Sequence, residues 1–109
     1  MSNSASETPP QLPDLGFYYH YKHDPNAPIN NYAYEVTGVA RHTEDKSFLV
    51  LYVPLYENDW FGPANFQARP LAMFMEAVTK DGVTKPRFAK VMDPAVLKEL
   101  TAIRDRMYS

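Results

Sequence analysis

Hydrophobic and polar residues alternate along much of this chain with the two-residue period of a β-strand. The clearest case is residues 32–40, in which Tyr34 and Val36 fall on one side and Ala33 and Glu35 fall on the other. Successive side chains of a strand point to opposite faces of its sheet. The pattern therefore predicts a strand whose two faces meet different surroundings.

Four further segments have strand character, and turn signals separate them. Gly38 predicts a bulge or a tight bend, and Asp81-Gly82 predicts a hairpin turn. Segment 69–74 suits either a helix that begins at Pro70 or a single helical turn before a strand, and we favour the single turn. The further strands are expected at residues 16–22, 47–56, 75–79 and 83–90.

A helical period replaces the alternation near the C-terminus. Asp93 supplies an N-cap acceptor, and Pro94 suits the first helical position. The apolar residues that follow have helical spacing, namely Val96, Leu97, Leu100, Ile103 and Met107. We expect this helix to lie on the strands or on a partner chain. The whole pattern predicts a mainly β fold, a small antiparallel barrel of about five strands with a C-terminal α-helix.

Three segments are expected along the chain. Residues 1–14 are rich in serine, proline and glutamine and predict a disordered tail. Residues 15–92 form the barrel domain, and residues 93–109 form the C-terminal helix. The N-terminus lacks the basic start and apolar core of a secretory signal. The apolar run from Phe48 to Leu55 is far shorter than the ~20 residues of a membrane helix. We therefore expect a soluble, cytoplasmic protein.

Composition narrows the function classes. The chain is 45% hydrophobic and 22% charged, which is an ordinary globular balance. Its net charge of −2 offers no basic excess for a nucleic acid or a membrane surface. It contains no cysteine, which excludes a disulfide framework, a thiolate nucleophile and cysteine-ligated zinc. No cofactor is expected.

Two histidines and one glutamate could carry chemistry. His42 and Glu44 share a face if the chain is extended there, and His20 could join them in a metal site. His42 could also act as a general base. The alternative is that His42 and Glu44 flank a turn and bond to its backbone. Their spacing is not diagnostic of a metal, and no Gly-x-Ser-x-Gly motif supplies a nucleophile.

Two arginines, Arg69 and Arg87, each neighbour a proline. Arginine in such a place can clamp a carboxylate or a phosphate with two hydrogen bonds. It can equally form an internal ion pair, for which Glu35, Glu44 and Glu76 are the candidates. We favour the internal ion pair for each arginine, and both alternatives stay open.

Aromatic residues outnumber what a small barrel core can hold. Tyr34, Tyr52 and Trp60 therefore either line a groove or wrap the surface of the barrel. An aromatic groove beside arginine and histidine is a common way for small barrels to hold peptides or single-stranded bases. We expect these aromatics to belong to any ligand site.

The spaced motifs resemble the family of small bacterial proteins called domain of unknown function 1653. The likeness covers about residues 16–91 and rests on five groups: Gly16, Tyr18, His20, Tyr21 and Lys22; Tyr34, Glu35, Val36, Gly38, Ala40, His42 and Glu44; Val50 and Tyr52; Arg69, Pro70, Met73 and Phe74; Asp81, Gly82, Pro86, Arg87 and Phe88. The loop from His23 to Ala33 is longer than in the family, and Gln67 replaces a common tryptophan. The resemblance implies a Src-homology-3-like barrel and no particular reaction.

Three hypotheses follow for the function. The first is a non-catalytic module that binds a small acidic or aromatic molecule or a peptide. Its predicted site comprises His20, Tyr34, His42, Glu44, Tyr52, Trp60, Arg69 and Arg87. The second is a hydrolase or metal-dependent enzyme that uses His42 and Glu44. The third is a structural protein that forms a homodimer through its C-terminal helix.

Overall fold

The structure is a computed structural model that describes residues 11–57 and 66–108. Antiparallel strands dominate it, which confirms the mainly β class with a C-terminal helix. The elements in chain order are β1 (Gly16–His20), β2 (Ala33–Arg41), β3 (Phe48–Pro54), β4 (Gln67–Pro70), the single-turn helix α1 (Leu71–Phe74), β5 (Ala77–Lys80), β6 (Val83–Pro86), β7 (Phe88–Lys90) and α2 (Pro94–Tyr108).

Five strands form one sheet in the order β4-β3-β2-β1-β7, and β5 pairs with β6 in a separate hairpin. Within the described part of the chain, no ladder joins β4 to β7, so this sheet is open. The described residues form seven strands where about five were predicted, because β4 was not predicted and the predicted last strand is divided into β6 and β7. No described helix has the length and apolar character that would be needed to cross a membrane.

The bulge predicted at Gly38 is confirmed. The pairing of β2 with β3 shifts register between Val36 and Gly38. A bulge inserts one extra residue and increases the local bend of a strand. It therefore curves β2 between the half that pairs with β1 and the half that leads to the next turn.

The hairpin turn predicted at Asp81-Gly82 is also confirmed. Both residues have positive φ, 53° and 78°, as a two-residue type I′ turn requires. The predicted return strand is wrong in one respect, because it is divided at Arg87. Residues before Arg87 pair with β5, and residues after it pair with β1.

The single helical turn predicted after Pro70 is present as α1, and the short strand before it was not predicted. Residues Gln67–Pro70 pair with β3 at the edge of the sheet. An edge strand tolerates proline, because one side of its backbone has no neighbour to bond. On β1, the Tyr18 hydroxyl donates to the carbonyl of Asp14 over 2.8 Å. Residues 1–10 of the predicted tail lie outside the described part.

The helix α2 covers one face of the sheet and begins at Pro94, the predicted first helical position. The Asp93 side chain accepts the Ala95 N–H over 2.9 Å and caps the helix. Leu100 is fully buried at the centre of this layer. It packs with buried residues on the same side of the sheet, namely Phe17, Ala33, Leu55 and Val91. The apolar stripe of α2 therefore packs against the chain's own sheet.

The opposite face of the sheet carries a second, more aromatic core. Its buried members are Tyr18, Tyr34, Val36, Val50, Tyr52, Phe74 and Phe88. Tyr32, Tyr56 and Leu71 pack against them while remaining partly exposed. The aromatic rings therefore extend from the core to the surface on this side.

Candidate functional site

Strand register brings several predicted site residues onto this second face. Val50 pairs with Arg69, and Val36 pairs with Tyr52. Because residues two apart on a strand share a face, Arg69 lies beside Tyr52. We call the following set the tyrosine face: His20, Tyr32, Tyr34, Tyr52, Tyr56, Arg69 and Phe88. It lies where β1, β2, β3, β4 and β7 meet.

Arg69 supplies the positive charge of the tyrosine face. Its Nε donates a long hydrogen bond of 3.4 Å to the Tyr52 hydroxyl. Its guanidinium carbon lies 5.5 Å from the centre of the Phe88 ring, a cation–π distance. No carboxylate within residues 11–57 and 66–108 forms a salt bridge with it. A half-buried cation in such surroundings gains from an anion.

His20 offers a neutral imidazole to the same face. Its Nδ1 accepts the backbone N–H of Lys22 over 3.2 Å, which places the ring proton on Nε2. Burial, together with the positive charges of Arg69, Lys22 and Arg87, lowers the pKa of His20 to about 4. At neutral pH this side chain is therefore an uncharged hydrogen-bond donor.

A pair of tyrosine hydroxyls forms the deepest polar contact of the tyrosine face. The hydroxyls of Tyr34 and Tyr56 bond to each other. Burial raises the pKa of Tyr34 far above its ordinary value, and the bond to Tyr56 adds to this effect. Burial also raises the pKa of Tyr56. Both phenols therefore stay protonated and can act only as neutral hydrogen-bonding groups.

The aromatic rings pack edge to face around these polar atoms. The centre of the Tyr34 ring lies 5.3 Å from that of Tyr52 and 5.8 Å from that of Phe88. The ring of His20 stands edge-on to Phe88 at 5.1 Å. Such contacts fix ring positions by several small attractions. The polar groups are thus held by a packed aromatic layer.

Arg87 lies beside this face but is committed to an ion pair. Its Nη2 is 2.7 Å from Oε1 of Glu76, as one of the two alternatives from the sequence requires. Its backbone N–H also bonds to the Glu76 carbonyl, and its carbonyl accepts the Tyr21 N–H. Its Nε is buried with no hydrogen-bond partner within the described segments. Arg87 therefore joins the hairpin to the sheet.

His42 and Glu44 lie elsewhere, at the turn between β2 and β3. The Nδ1 of His42 accepts the Glu44 N–H over 3.1 Å and lies 3.7 Å from Oδ1 of Asp45. Seven residues of β2 lie between Tyr34 and His42, which places the two about 25 Å apart along the extended chain. His42 thus bonds to the backbone of its own turn, and neither residue joins the tyrosine face.

Other predicted features are distributed as follows. Trp60 lies outside the described residues. Glu35, a candidate partner for the arginines, pairs instead with Arg104 of α2 over 2.7 Å. No group of three histidine, aspartate or glutamate side chains suited to a metal ion occurs in the part of the chain that the structure describes. Three residues of the tyrosine face were not predicted as site residues, namely Tyr32, Tyr56 and Phe88. Tyr32 could have been found, because it lies two residues before Tyr34 and falls on the same side of the alternating pattern.

Two comparisons relate the chain to known proteins. A family model described as "Protein of unknown function (DUF1653)" matches residues 16–90. The chain is also similar to the crystal structure of a DUF1653 protein from Bordetella bronchiseptica, with 30% sequence identity and a TM-score of 0.58. That likeness covers 74% of this chain and 92% of the other chain. No curated protein matches the chain. The matched segment begins with β1 and ends with β7, so it contains the tyrosine face.

Proposed function

Because the chain belongs to the DUF1653 family, whose description names no activity, we propose a function from the geometry of the tyrosine face. The protein is a non-catalytic binding module for a small aromatic carboxylate. Arg69 binds the carboxylate, and the surrounding rings contact the aromatic part. The proposed location is the cytoplasm, which suits a chain without cysteine.

The observation that carries this proposal is the position of Arg69. Its guanidinium is partly withdrawn from water, and its contacts within the described chain are a phenol and a phenyl ring. Neither partner neutralises its charge. A carboxylate that approaches from outside would complete the ion pair and could accept two hydrogen bonds from one guanidinium.

The neighbouring groups suit the same ligand. His20 is uncharged and carries a proton on Nε2, so it can donate to a carboxylate oxygen or a ligand carbonyl. The hydroxyl groups of Tyr34, Tyr52 and Tyr56 add neutral polar contacts without a competing negative charge. A few fixed polar groups among apolar rings are typical of sites for small molecules.

The two other hypotheses receive less support from the contacts. The enzyme hypothesis depends on His42 and Glu44, but the His42 Nδ1 already accepts a bond from the turn backbone. The homodimer hypothesis depends on the apolar stripe of α2, and that stripe packs against the chain's own sheet. No contact among residues 11–57 and 66–108 favours either one over ligand binding.

A thermal-shift screen with benzoate, phenylacetate and indole-3-acetate tests the proposal. We expect at least one compound to raise the melting temperature of the unsubstituted protein and to leave Arg69→Gln unaffected. Arg41→Gln is the matched control, because Arg41 also lies over a phenyl ring, 4.5 Å from the centre of Phe48. It should respond like the unsubstituted protein.

A second variant separates binding from folding. Arg69→Lys keeps the charge but loses the planar fork, so it should fold and bind about tenfold more weakly. The proposal fails if the compounds stabilise Arg69→Gln as much as the unsubstituted protein. It also fails if both Arg69 variants are unfolded by circular dichroism, because Arg69 would then be a structural residue.

A further inference from the structure

We propose that a second site, which we call the lysine groove, binds a nucleotide. The groove lies between the loop that follows β1 and the hairpin β5–β6. Lys22, Lys80 and Lys85 bind the phosphates, and the rings of Tyr21 and Tyr32 contact the base. This inference goes beyond the proposed function, because the described lining of the groove shares only Tyr32 with the tyrosine face and does not depend on Arg69.

The first wall of the groove is one face of the hairpin. Val78 pairs with Lys85, and Lys80 pairs with Val83, so these four side chains share a face. Thr79 pairs with Thr84 on the opposite face of the hairpin. The groove face therefore presents two lysines beside Val83, whose side chain is 59% exposed.

The second wall is the loop that follows β1. The Nζ of Lys22 lies 6.0 Å from the centre of the Tyr21 ring, and both residues face the hairpin across the groove. Tyr32, which enters β2, contributes its partly buried ring to the same space. The space measures about 680 Å³, which is within the usual range for small-molecule sites.

The charges of the groove favour an anion. Its three lysines form no salt bridge with an aspartate or glutamate among the described residues. Two acidic residues also line it, Asp24 and Asp81. Oδ1 of Asp24 accepts the Asn26 N–H over 2.9 Å and is used within its own turn. The three ammonium groups therefore outnumber the two carboxylates, and the lining keeps an excess of positive charge.

The combination of groups selects a nucleotide among anions. Lysine binds phosphate as a point charge, and tyrosine rings stack on bases. Exposed Val83 adds an apolar contact for the base edge. Because the whole chain carries a net charge of −2, a long polyanion would meet repulsion beyond the groove. A single nucleotide uses the local charge and avoids that repulsion.

Isothermal titration calorimetry with adenosine triphosphate tests this site in 50 mM salt. We expect binding to the unsubstituted chain and about tenfold weaker binding to K80Q/K85Q, because two charges opposite the phosphates are lost. Lys98→Gln is the matched control, since Lys98 is an exposed lysine on α2, and it should bind normally. Arg69→Gln should also bind normally, which keeps this test separate from the carboxylate site.

Three other probes identify the ligand class. Adenosine and sodium triphosphate should each bind more weakly than the intact nucleotide. Equal affinity of triphosphate and nucleotide would overturn the role of the tyrosines, and unchanged affinity of K80Q/K85Q would overturn the site. An eight-nucleotide thymidine oligonucleotide and a hexaglutamate peptide are the competing ligands. If either binds more tightly than adenosine triphosphate, the ligand belongs to that class and the nucleotide assignment is wrong. Circular dichroism checks that each variant is folded. Lys22→Gln applies the same binding test to the lysine on the opposite wall of the groove.

Discussion

His20 should make the folded protein sensitive to acid. Its imidazole is partly buried beside three cations, Arg69, Lys22 and Arg87, and its pKa is about 4 in the folded chain. In the unfolded chain the pKa returns to 6.5. Between these values the unfolded state holds a proton that the folded state does not. Stability is therefore full above pH 6.5 and is lost as the pH falls toward 4.

The difference in the pKa of His20 between the unfolded and folded chain sets the size of this loss of stability. A difference from 6.5 to about 4 corresponds to an upper bound of about 3.4 kcal/mol, at about 1.4 kcal/mol for each pH unit. The imidazole is not fully buried, and water screens part of its interaction with the three cations. We therefore expect about 1.5 to 2 kcal/mol to be lost between pH 7 and pH 4 through this residue.

Urea denaturation followed by circular dichroism at pH 7.0, 5.5 and 4.5 measures the effect. His20→Asn keeps an acceptor for the Lys22 N–H but cannot take up a proton in this range. Its free energy of unfolding should fall less with acid than that of the unsubstituted protein. His42→Asn is the matched control, because His42 accepts the N–H two residues on in the same way but lies at an outer turn.

Two results would refute this reasoning. The first is an equal loss of stability with acid in His20→Asn and in the unsubstituted protein. The second is a loss of acid sensitivity in His42→Asn alone. Either result would mean that His20 does not stay neutral inside the aromatic layer. It would also contradict the role of His20 as a neutral donor in the carboxylate site.

Three further substitutions test the fold. Leu100→Ala should lower the free energy of unfolding by about 2 to 5 kcal/mol in urea denaturation, because Leu100 is fully buried between α2 and the sheet. Gly82→Ala should cost about 1 kcal/mol by the same measurement, because its φ of 78° disfavours a side chain. Asp93→Ala should cost about 1 kcal/mol and lower the helical signal in circular dichroism, because it removes the N-cap bond to Ala95.

Each of these substitutions has a partner that should change little. Lys98→Ala alters an exposed position of α2. Gly38→Ala adds a methyl group where nothing lies within 4 Å. Asp93→Asn keeps the capping oxygen. A loss below about 1 kcal/mol for Leu100→Ala would contradict the packing of α2 on the sheet. Equal effects at the two glycines, or at the two changes of Asp93, would contradict the turn and the cap.

Local signals in the sequence predicted those elements of the fold that depend on a particular residue type. The bulge at Gly38, the turn at Asp81-Gly82 and the helix start at Asp93 each need a particular backbone group or conformation, and the residue types reveal it. The strand Gln67–Pro70 was missed because four residues are too few to show a period. Its proline also suits a helix start as well as an edge strand.

The candidate site could be predicted only in part. Alternation correctly placed Tyr34 and Val36 on one face, but a sequence does not say which strand ends meet. His20 and His42 both lie at strand ends, yet antiparallel pairing places them at opposite ends of β2. The partner of Arg87 was also open, because three glutamates were equally plausible until the division of the last strand placed Glu76 beside it.

The pairing of β1 with β7 has a consequence for how the protein is made. His20 lies opposite Phe88, so these partners are separated by about 70 residues of chain. At about 5 to 20 residues per second, the ribosome takes several seconds to supply β7 after β1 has been synthesised. During that time one edge of β1 has no partner. Contacts this distant in sequence also slow folding of the released chain. The nascent protein therefore exposes an aromatic strand edge, and we expect a chaperone to be needed most at this stage.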